Sequence, residues 1–103
     1  MRIMTLVQTT EVNFQPAQEL LEPINKLAED ATKKGEFGGM GGLGPTAQGA
    51  RARLSKGKIT VTDGPFTEAK EIIGGYAIFD VKSKKEALDY TRRFLEAHIG
   101  LFD

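Results

Sequence analysis

The side chains best suited to chemistry are three carboxylates and two arginines. They are Asp63, Glu68, Glu71, Arg51 and Arg53. Carboxylates held close together can share protons or hold a polar ligand, and guanidinium groups bind anionic groups through paired hydrogen bonds. We therefore predict Asp63 and Glu71 as catalytic acid–base groups. Glu68, Arg51 and Arg53 are predicted to bind the ligand.

A simpler interpretation of the same segment is that it only turns the chain. Asp63 stands directly before Gly64-Pro65, a sequence that ends strands and begins tight turns. The charged residues after it would then form a solvated loop. The sequence leaves both interpretations open.

His98 is the third candidate for acid–base chemistry, because it is the only histidine of the chain. The alternative is a histidine that complements the dipole at the end of the last helix. The chain has no Cys, so a thiolate site is excluded, as is a site with two histidines from one chain. We predict no metal and no cofactor.

A glycine-rich segment, Gly39–Gly44, matches the dinucleotide fingerprint G-x-G-x-x-G. That motif needs a strand before it and a helix directly after it. Here a predicted helix precedes the glycines, and Pro45 follows them. We therefore predict a strand or loop with close backbone neighbours, and no nucleotide binding.

Hydrophobic periodicity predicts the elements that position these residues. In chain order they are a strand over residues 2–8, a helix over 16–34, a strand or loop over 37–45, a hairpin over 50–62 turning at Lys56-Gly57, a strand over 72–81 and a helix that begins with a capping box at Ser83–Glu86. Pro23 predicts either a kink in the first helix or a start near residue 20. This order predicts an α+β plait, an antiparallel sheet with both helices on one face.

The strand over residues 72–81 is apolar on both faces, which is typical of a central strand. Tyr76 and Ile78 alternate with Ala77, Phe79 and Val81. Two helices cover only one face of such a sheet. We therefore predict a homodimer in which a second copy covers the other face, around 76–80.

Composition excludes several classes of protein. The 103 residues contain 14 basic and 14 acidic side chains, so the formal net charge is zero. Proteins that grip nucleic acid or anionic membranes are usually basic, and no apolar run is long enough to span a bilayer. We predict one cytoplasmic domain over residues 1–103 with no nucleic-acid or membrane partner.

The segment Asp63-Gly64-Pro65-Phe66-Thr67-Glu68-Ala69-Lys70-Glu71 resembles the signature of DGPF proteins within the YCII-related family. Gly42-Leu43-Gly44-Pro45 and Ala50-Arg51-Ala52-Arg53-Leu54 agree with it in order and spacing. The resemblance implies a ferredoxin-like plait that dimerises into an α/β barrel. It also implies a strand after the last helix, which we expect this chain to lack.

The resemblance implies two functions. The first is a YCII-type enzyme or binding protein for a polar small molecule, although the family's His–Asp pair needs a His in the first helix and residues 16–34 contain none. The second is a non-catalytic regulatory or interaction module linked to extracytoplasmic-function sigma factors. Whether a reaction is catalysed stays open.

Overall fold

The computed structural model describes residues 1–10, 20–66 and 70–99. Its elements are β1 (Arg2–Thr9), α1 (Leu21–Lys33), β2 (Phe37–Gly42), β3 (Ala50–Ser55), β4 (Lys58–Asp63), β5 (Ile72–Asp80) and α2 (Lys84–Glu96), with a single 3-10 turn at Thr46–Gln48. Neither α-helix of the described residues is long and apolar enough to cross a membrane.

β5 is the central strand of a three-stranded antiparallel sheet in the order β1-β5-β2. Its apolar composition predicted that position, and the prediction is confirmed. Ile3 lies opposite Phe79 and Thr5 opposite Ala77. Because side chains alternate between faces along a strand, these residues share the face towards the helices.

The core lies between that face and both helices. Phe79 and Val81 meet Leu27 and Ala31 of α1 and Ala87 and Tyr90 of α2, all of them buried. The rings of Phe79 and Tyr90 stack with centroids 4.8 Å apart. The predicted α+β class, with an antiparallel sheet and two helices on one face, is thus confirmed, and the arrangement is compatible with a ferredoxin-like plait.

The helix starts follow from local chemistry. α1 begins at Leu21, so Pro23 lies in the first turn, where its missing N–H has no partner to lose. Of the two predicted outcomes, the start near residue 20 is therefore right. Ser83 caps α2 by accepting a hydrogen bond from the Glu86 N–H at 3.4 Å, as the capping box predicted.

Tyr90 connects α2 to the chain just before β2. Its hydroxyl donates a 2.7 Å hydrogen bond to the Glu36 carboxylate. Burial, followed by this bond, raises the pKa of Tyr90 to about 12. The Tyr90 hydroxyl is also the main cause that holds the pKa of Glu36 below its ordinary value.

β3 and β4 form a separate two-stranded hairpin that is not hydrogen-bonded to the main sheet. Its register is the predicted one, with Leu54 opposite Ile59 and Arg53 opposite Thr60. Every residue of both strands is exposed. We call residues 50–63 the arm, and its side with Ala52, Leu54, Ile59 and Val61 the apolar arm face.

The sheet face away from the helices is also apolar. Met4 lies opposite Ile78 and Leu6 opposite Tyr76, and Met4 and Leu6 are 55% and 56% exposed. We call these four residues the open face.

Contacts with the side chains of β5 explain why β2 is rich in glycine. A Cβ on Gly38 would stand 2.8 Å from the Ile78 Cγ2, and a Cβ on Gly41 would stand 2.8 Å from the Tyr76 ring. The side chains of Ile78 and Tyr76 therefore lie across β2. Of the predicted strand or loop, the strand is observed, and it pairs antiparallel with β5 instead of leading into a helix. Its closest neighbours at Gly38 and Gly41 are the side chains of β5.

Replacing Tyr90 by Phe tests the bond to Glu36 while keeping the stacked ring. We expect Tyr90→Phe to lower the free energy of unfolding at neutral pH, since a hydrogen bond to a charged group is removed. Glu36 has a lowered pKa in the folded state, so its contribution is present above its unfolded pKa and is lost as the pH falls through the folded value. The difference between the two proteins should therefore shrink in acid.

Urea unfolding of both proteins at neutral pH and at about pH 3 measures this difference. Asp89→Asn, which removes the exposed partner of Lys85 on the same helix, is the control and should unfold like the wild type. A Tyr90→Phe difference that is equal at both pH values would contradict the assignment.

Candidate functional site

A cleft of about 370 Å³ lies where the arm joins the main sheet. It is lined by the end of β1, the start of β5, the loop before the arm and the first residues of β3. The lining residues are Gln8, Leu43, Gly44, Pro45, Thr46, Gly49, Ala50, Arg51, Phe66, Glu71, Ile72 and Ile73.

The Asp63–Phe66 segment contributes the Phe66 ring to the wall of this cleft. The Gly64 N–H donates to the Gly49 carbonyl at 2.9 Å, and the Phe66 N–H donates to the Thr46 hydroxyl at 3.1 Å. The Gly64–Pro65 peptide bond is cis. These two hydrogen bonds, both donated by backbone N–H groups, fix the end of β4 to the loop that precedes β3.

Position 64 requires glycine because the backbone there approaches the Thr46 carbonyl closely. A Cβ at this position would stand 1.7 Å from the Thr46 carbonyl oxygen, a separation that no side chain can adopt. The segment and the Thr46 loop can therefore meet only because residue 64 has no side chain.

Arg51 is the cation of the cleft. Its guanidinium carbon stands 3.9 Å from the centroid of the Phe66 ring, the geometry of a cation–π contact. Phe66 is buried. The arginine therefore rests on a ring that the backbone bonds of the Asp63–Phe66 segment hold in place.

Two of the predicted site residues come together in the cleft, namely Arg51 and Glu71. Glu68 lies outside the described residues. Asp63 and Arg53 are not among the described residues that line the cleft. The predicted cluster of three carboxylates facing two arginines is thus reduced, in the described chain, to one carboxylate and one arginine.

Asp63 and Arg53 have exposed positions in the arm. Asp63 ends β4 opposite Ala50, directly before the glycine that meets Thr46. Arg53 lies two residues beyond Arg51 on the same side of β3, opposite Thr60. The catalytic role predicted for Asp63 and the binding role predicted for Arg53 stay predictions.

His98 lies just after α2 and away from the lining of the cleft. Its Nδ1 stands 2.8 Å from the Phe94 carbonyl oxygen, and because a carbonyl only accepts, this nitrogen carries the proton. The imidazole also packs on the Phe94 ring with centroids 4.5 Å apart. This is the geometry expected of a histidine that satisfies a helix end, and the catalytic role stays a prediction.

Sequence reasoning missed Gln8 and Thr46 as parts of the site. Gln8 ends an amphipathic strand, and nothing in its spacing sets it apart from other strand ends. Thr46 is recognisable only through its contact with Phe66, twenty residues away in the chain. Both become visible only when the arm and the sheet have been placed together.

The described residues contain no group of three or more His, Asp or Glu side chains that could hold a metal ion. The polar groups that line the cleft are the Arg51 guanidinium, the Glu71 carboxylate, the Gln8 amide and the Thr46 hydroxyl, and the other walls are apolar.

Gly64→Ala tests whether the Asp63–Phe66 segment builds the cleft. The added methyl group would overlap the Thr46 carbonyl, so we expect a loss of stability of about 1–3 kcal/mol, in the range of overpacked sites. Gly42→Ala is the matched control, because a Cβ there meets nothing within 4 Å. Thermal unfolding of the two variants beside the wild type measures the effect, and equal melting temperatures would contradict the assignment.

The chain is similar to known proteins along most or all of its length. The YCII-related domain matches residues 1–103. The chain is 32% identical over 81 residues to an uncharacterized protein of Rhizobium meliloti (strain 1021), a match that covers 79% of this chain. The chain spans 65% of the length of that curated relative. On the strength of the full-length domain match, the chain belongs to the YCII-related family.

Proposed function

We propose that this chain is a homodimeric binding protein for a small organic anion, which it holds in the cleft beside Arg51. The observation that carries the proposal is the convergence of Arg51 and Glu71 in one cleft with apolar walls. The volume of about 370 Å³ lies at the lower end of the range for ligand sites, about 300–1,000 Å³. A metabolite of modest size would fill it.

Arg51 supports an anionic ligand. A guanidinium is permanently charged and presents a planar fork of N–H donors that matches a carboxylate or a phosphate. Phe66 beneath it reduces the freedom of the arginine side chain, so less conformational entropy is lost when a ligand binds. The preferred ligand therefore carries at least one carboxylate or phosphate group.

Glu71 and the apolar wall define the rest of the ligand. A carboxylate accepts hydrogen bonds, so Glu71 favours a ligand with a hydroxyl or ammonium donor besides its anionic group. Leu43, Ile72 and Ile73 line the same cleft and suit a short hydrocarbon portion. An amphipathic acid with a second polar group fits all three features.

The proposal concerns binding. Among the described lining residues, Glu71 is the only carboxylate, and the histidine of the chain is not one of them. General acid–base chemistry usually needs two groups with separate roles. The resemblance also implies an interaction module of a sigma-factor system. None of the described residues that line the cleft favours that function.

Arg51→Gln tests the anion site. A thermal-shift screen of the wild type against small carboxylates and phosphate esters identifies a ligand, because binding to the folded state raises the melting temperature. We expect Arg51→Gln to weaken that ligand by at least about tenfold, since a charge-assisted hydrogen bond is lost.

Arg53→Gln is the matched control for this experiment. It removes the same charge from the same side of the same strand, two residues further from the cleft. Its affinity should stay within about twofold of the wild type, as expected for screened surface charge. Equal losses in the two variants would show that only the net charge of the arm matters.

A second pair of variants distinguishes the roles of Glu71 and Asp63. Glu71 lines the cleft and Asp63 does not, so Glu71→Gln should weaken the ligand while Asp63→Asn should leave its affinity unchanged. Asn keeps the turn hydrogen-bonding of Asp, so both proteins should remain folded. Isothermal titration measures both affinities, and a loss confined to Asp63→Asn would restore Asp63 as the functional carboxylate.

A further inference from the structure

The cleft carries one positive and one negative side chain, and they come from two separate parts of the fold. Arg51 belongs to β3 of the arm, whereas Glu71 directly precedes β5 of the main sheet. Both line the cleft, and Glu71 is the only carboxylate among the described residues that do so. A ligand in the cleft therefore meets charges of both signs.

We propose that the ligand of this cleft is a zwitterion, namely an amino carboxylic acid with a hydrocarbon portion. The inference rests on the proposed function and narrows it, because it selects an ammonium group over a hydroxyl group as the second polar group of the ligand. The carboxylate of the ligand binds Arg51, and its ammonium group binds Glu71.

The charges of the cleft favour a ligand that also carries both signs. A plain carboxylic acid would bring a second carboxylate next to Glu71, and like charges repel each other. An amino carboxylic acid offers Arg51 and Glu71 each a group of opposite charge, and it adds no net charge to the cleft. Because repulsion of the wrong ligand contributes to specificity as attraction of the right one does, Glu71 selects against plain anions.

Charge also distinguishes an ammonium group from a hydroxyl group. Both donate hydrogen bonds to a carboxylate, but charge-assisted hydrogen bonds are shorter and roughly twice as strong as neutral ones. Glu71 is exposed, so water screens part of the attraction. We therefore expect a preference of about tenfold for the ammonium group, well below the ~10,000-fold selectivity of polar sites that are fully buried.

Gln8 adds polar contacts to the cleft without adding charge. Its amide lines the cleft and presents both N–H donors and a carbonyl acceptor, so it suits a carboxylate as well as an ammonium group. Gln8 follows an irregularity of the β1–β5 ladder, where one extra residue, Gly74, is inserted in β5 between the partners of Val7 and Gln8. Such bulges are common beside functional sites, where they redirect side chains.

The same bulge fixes the apolar wall that would hold the hydrocarbon portion of the ligand. The Leu43 N–H donates a 3.0 Å hydrogen bond to the Gly74 carbonyl, which holds the Leu43 backbone against the start of β5. Leu43, Ile72 and Ile73 all line the cleft. The hydrophobic effect therefore favours an amino acid with several carbons over glycine.

Protein NMR titration tests the ligand class with leucine and 5-aminopentanoate, whose two charged groups lie close together and at opposite ends of the molecule. The tighter of the two is then compared with three analogues: the acid without the amino group, the corresponding hydroxy acid and the amine without the carboxylate. Each analogue should bind at least about tenfold more weakly. An acid or hydroxy acid that binds as tightly as the amino acid, or a failure of both amino acids to bind, would overturn the inference.

Glu71→Gln tests which side chain recognises the ammonium group. The preference for the amino acid over the acid without the amino group should fall from at least about tenfold to within about twofold, because the charge that attracts ammonium and repels a plain acid is gone. A preference that stays at the wild-type value would contradict the role of Glu71.

Glu96→Gln is the matched control for this variant. It makes the same change at an exposed position of α2 that does not line the cleft. Glu96→Gln should therefore keep the wild-type preference for the amino acid. Equal losses in both variants would show that only the net charge of the protein matters, and would overturn the inference.

The inference and the proposed function fail in different ways. Plain carboxylic acids that bind as tightly as the amino acids, and that Arg51→Gln weakens, would contradict the zwitterion and leave the proposed anion site intact. Amino acids that keep their affinity in Arg51→Gln would contradict the anion site itself. A protein that binds neither the amino acids nor the plain acids would contradict both.

Discussion

The central strand β5 presents apolar side chains on both of its faces, and the two helices cover only one of them. Phe79 and Val81 are buried under α1 and α2, while Tyr76 and Ile78 on the other side support an uncovered surface. The hydrophobic effect acts on both faces alike. The glycines of β2 belong to this second face, where the Tyr76 and Ile78 side chains lie across the neighbouring strand.

The cleft depends on a second constraint, the contact between the end of β4 and the loop before β3. Gly64 allows the two backbones to meet, and the Thr46 hydroxyl and Gly49 carbonyl hold them together. Phe66 is thereby fixed as a platform for Arg51. The Asp63–Phe66 segment thus acts first through its backbone and its aromatic ring, and it positions a cation that belongs to another strand.

Sequence patterns predicted the elements with short-range signals. The register of the arm followed from alternation and from Lys56-Gly57, whose positive φ angles of 51° and 77° suit a two-residue turn. The start of α2 followed from Ser83 and Glu86. The first helix was predicted over residues 16–34, of which 16–19 lie outside the described residues, and the described helix is Leu21–Lys33 with Pro23 in its first turn.

The site was predicted less well because its residues meet through long-range contacts. Arg51 and Glu71 were identified by residue type, yet nothing in their spacing told them apart from Arg53 and Asp63. Alternation along a strand tells which face a side chain lies on, but not how far that side chain lies from a neighbouring strand or helix. The position of the arm relative to the sheet decides which arginine lines the cleft.

Because β2 contributes glycines, the chemistry of the open face depends mainly on the side chains of β5. Since Gly38 and Gly41 contribute no side chains, Tyr76 and Ile78 spread across their strand, and the chemistry of this half of the surface is encoded almost entirely by β5. A few substitutions in one strand would therefore alter the chemistry of this surface, while the helix-facing residues of the same strand keep the core unchanged. Related chains could diverge in the polarity of this surface without loss of the fold.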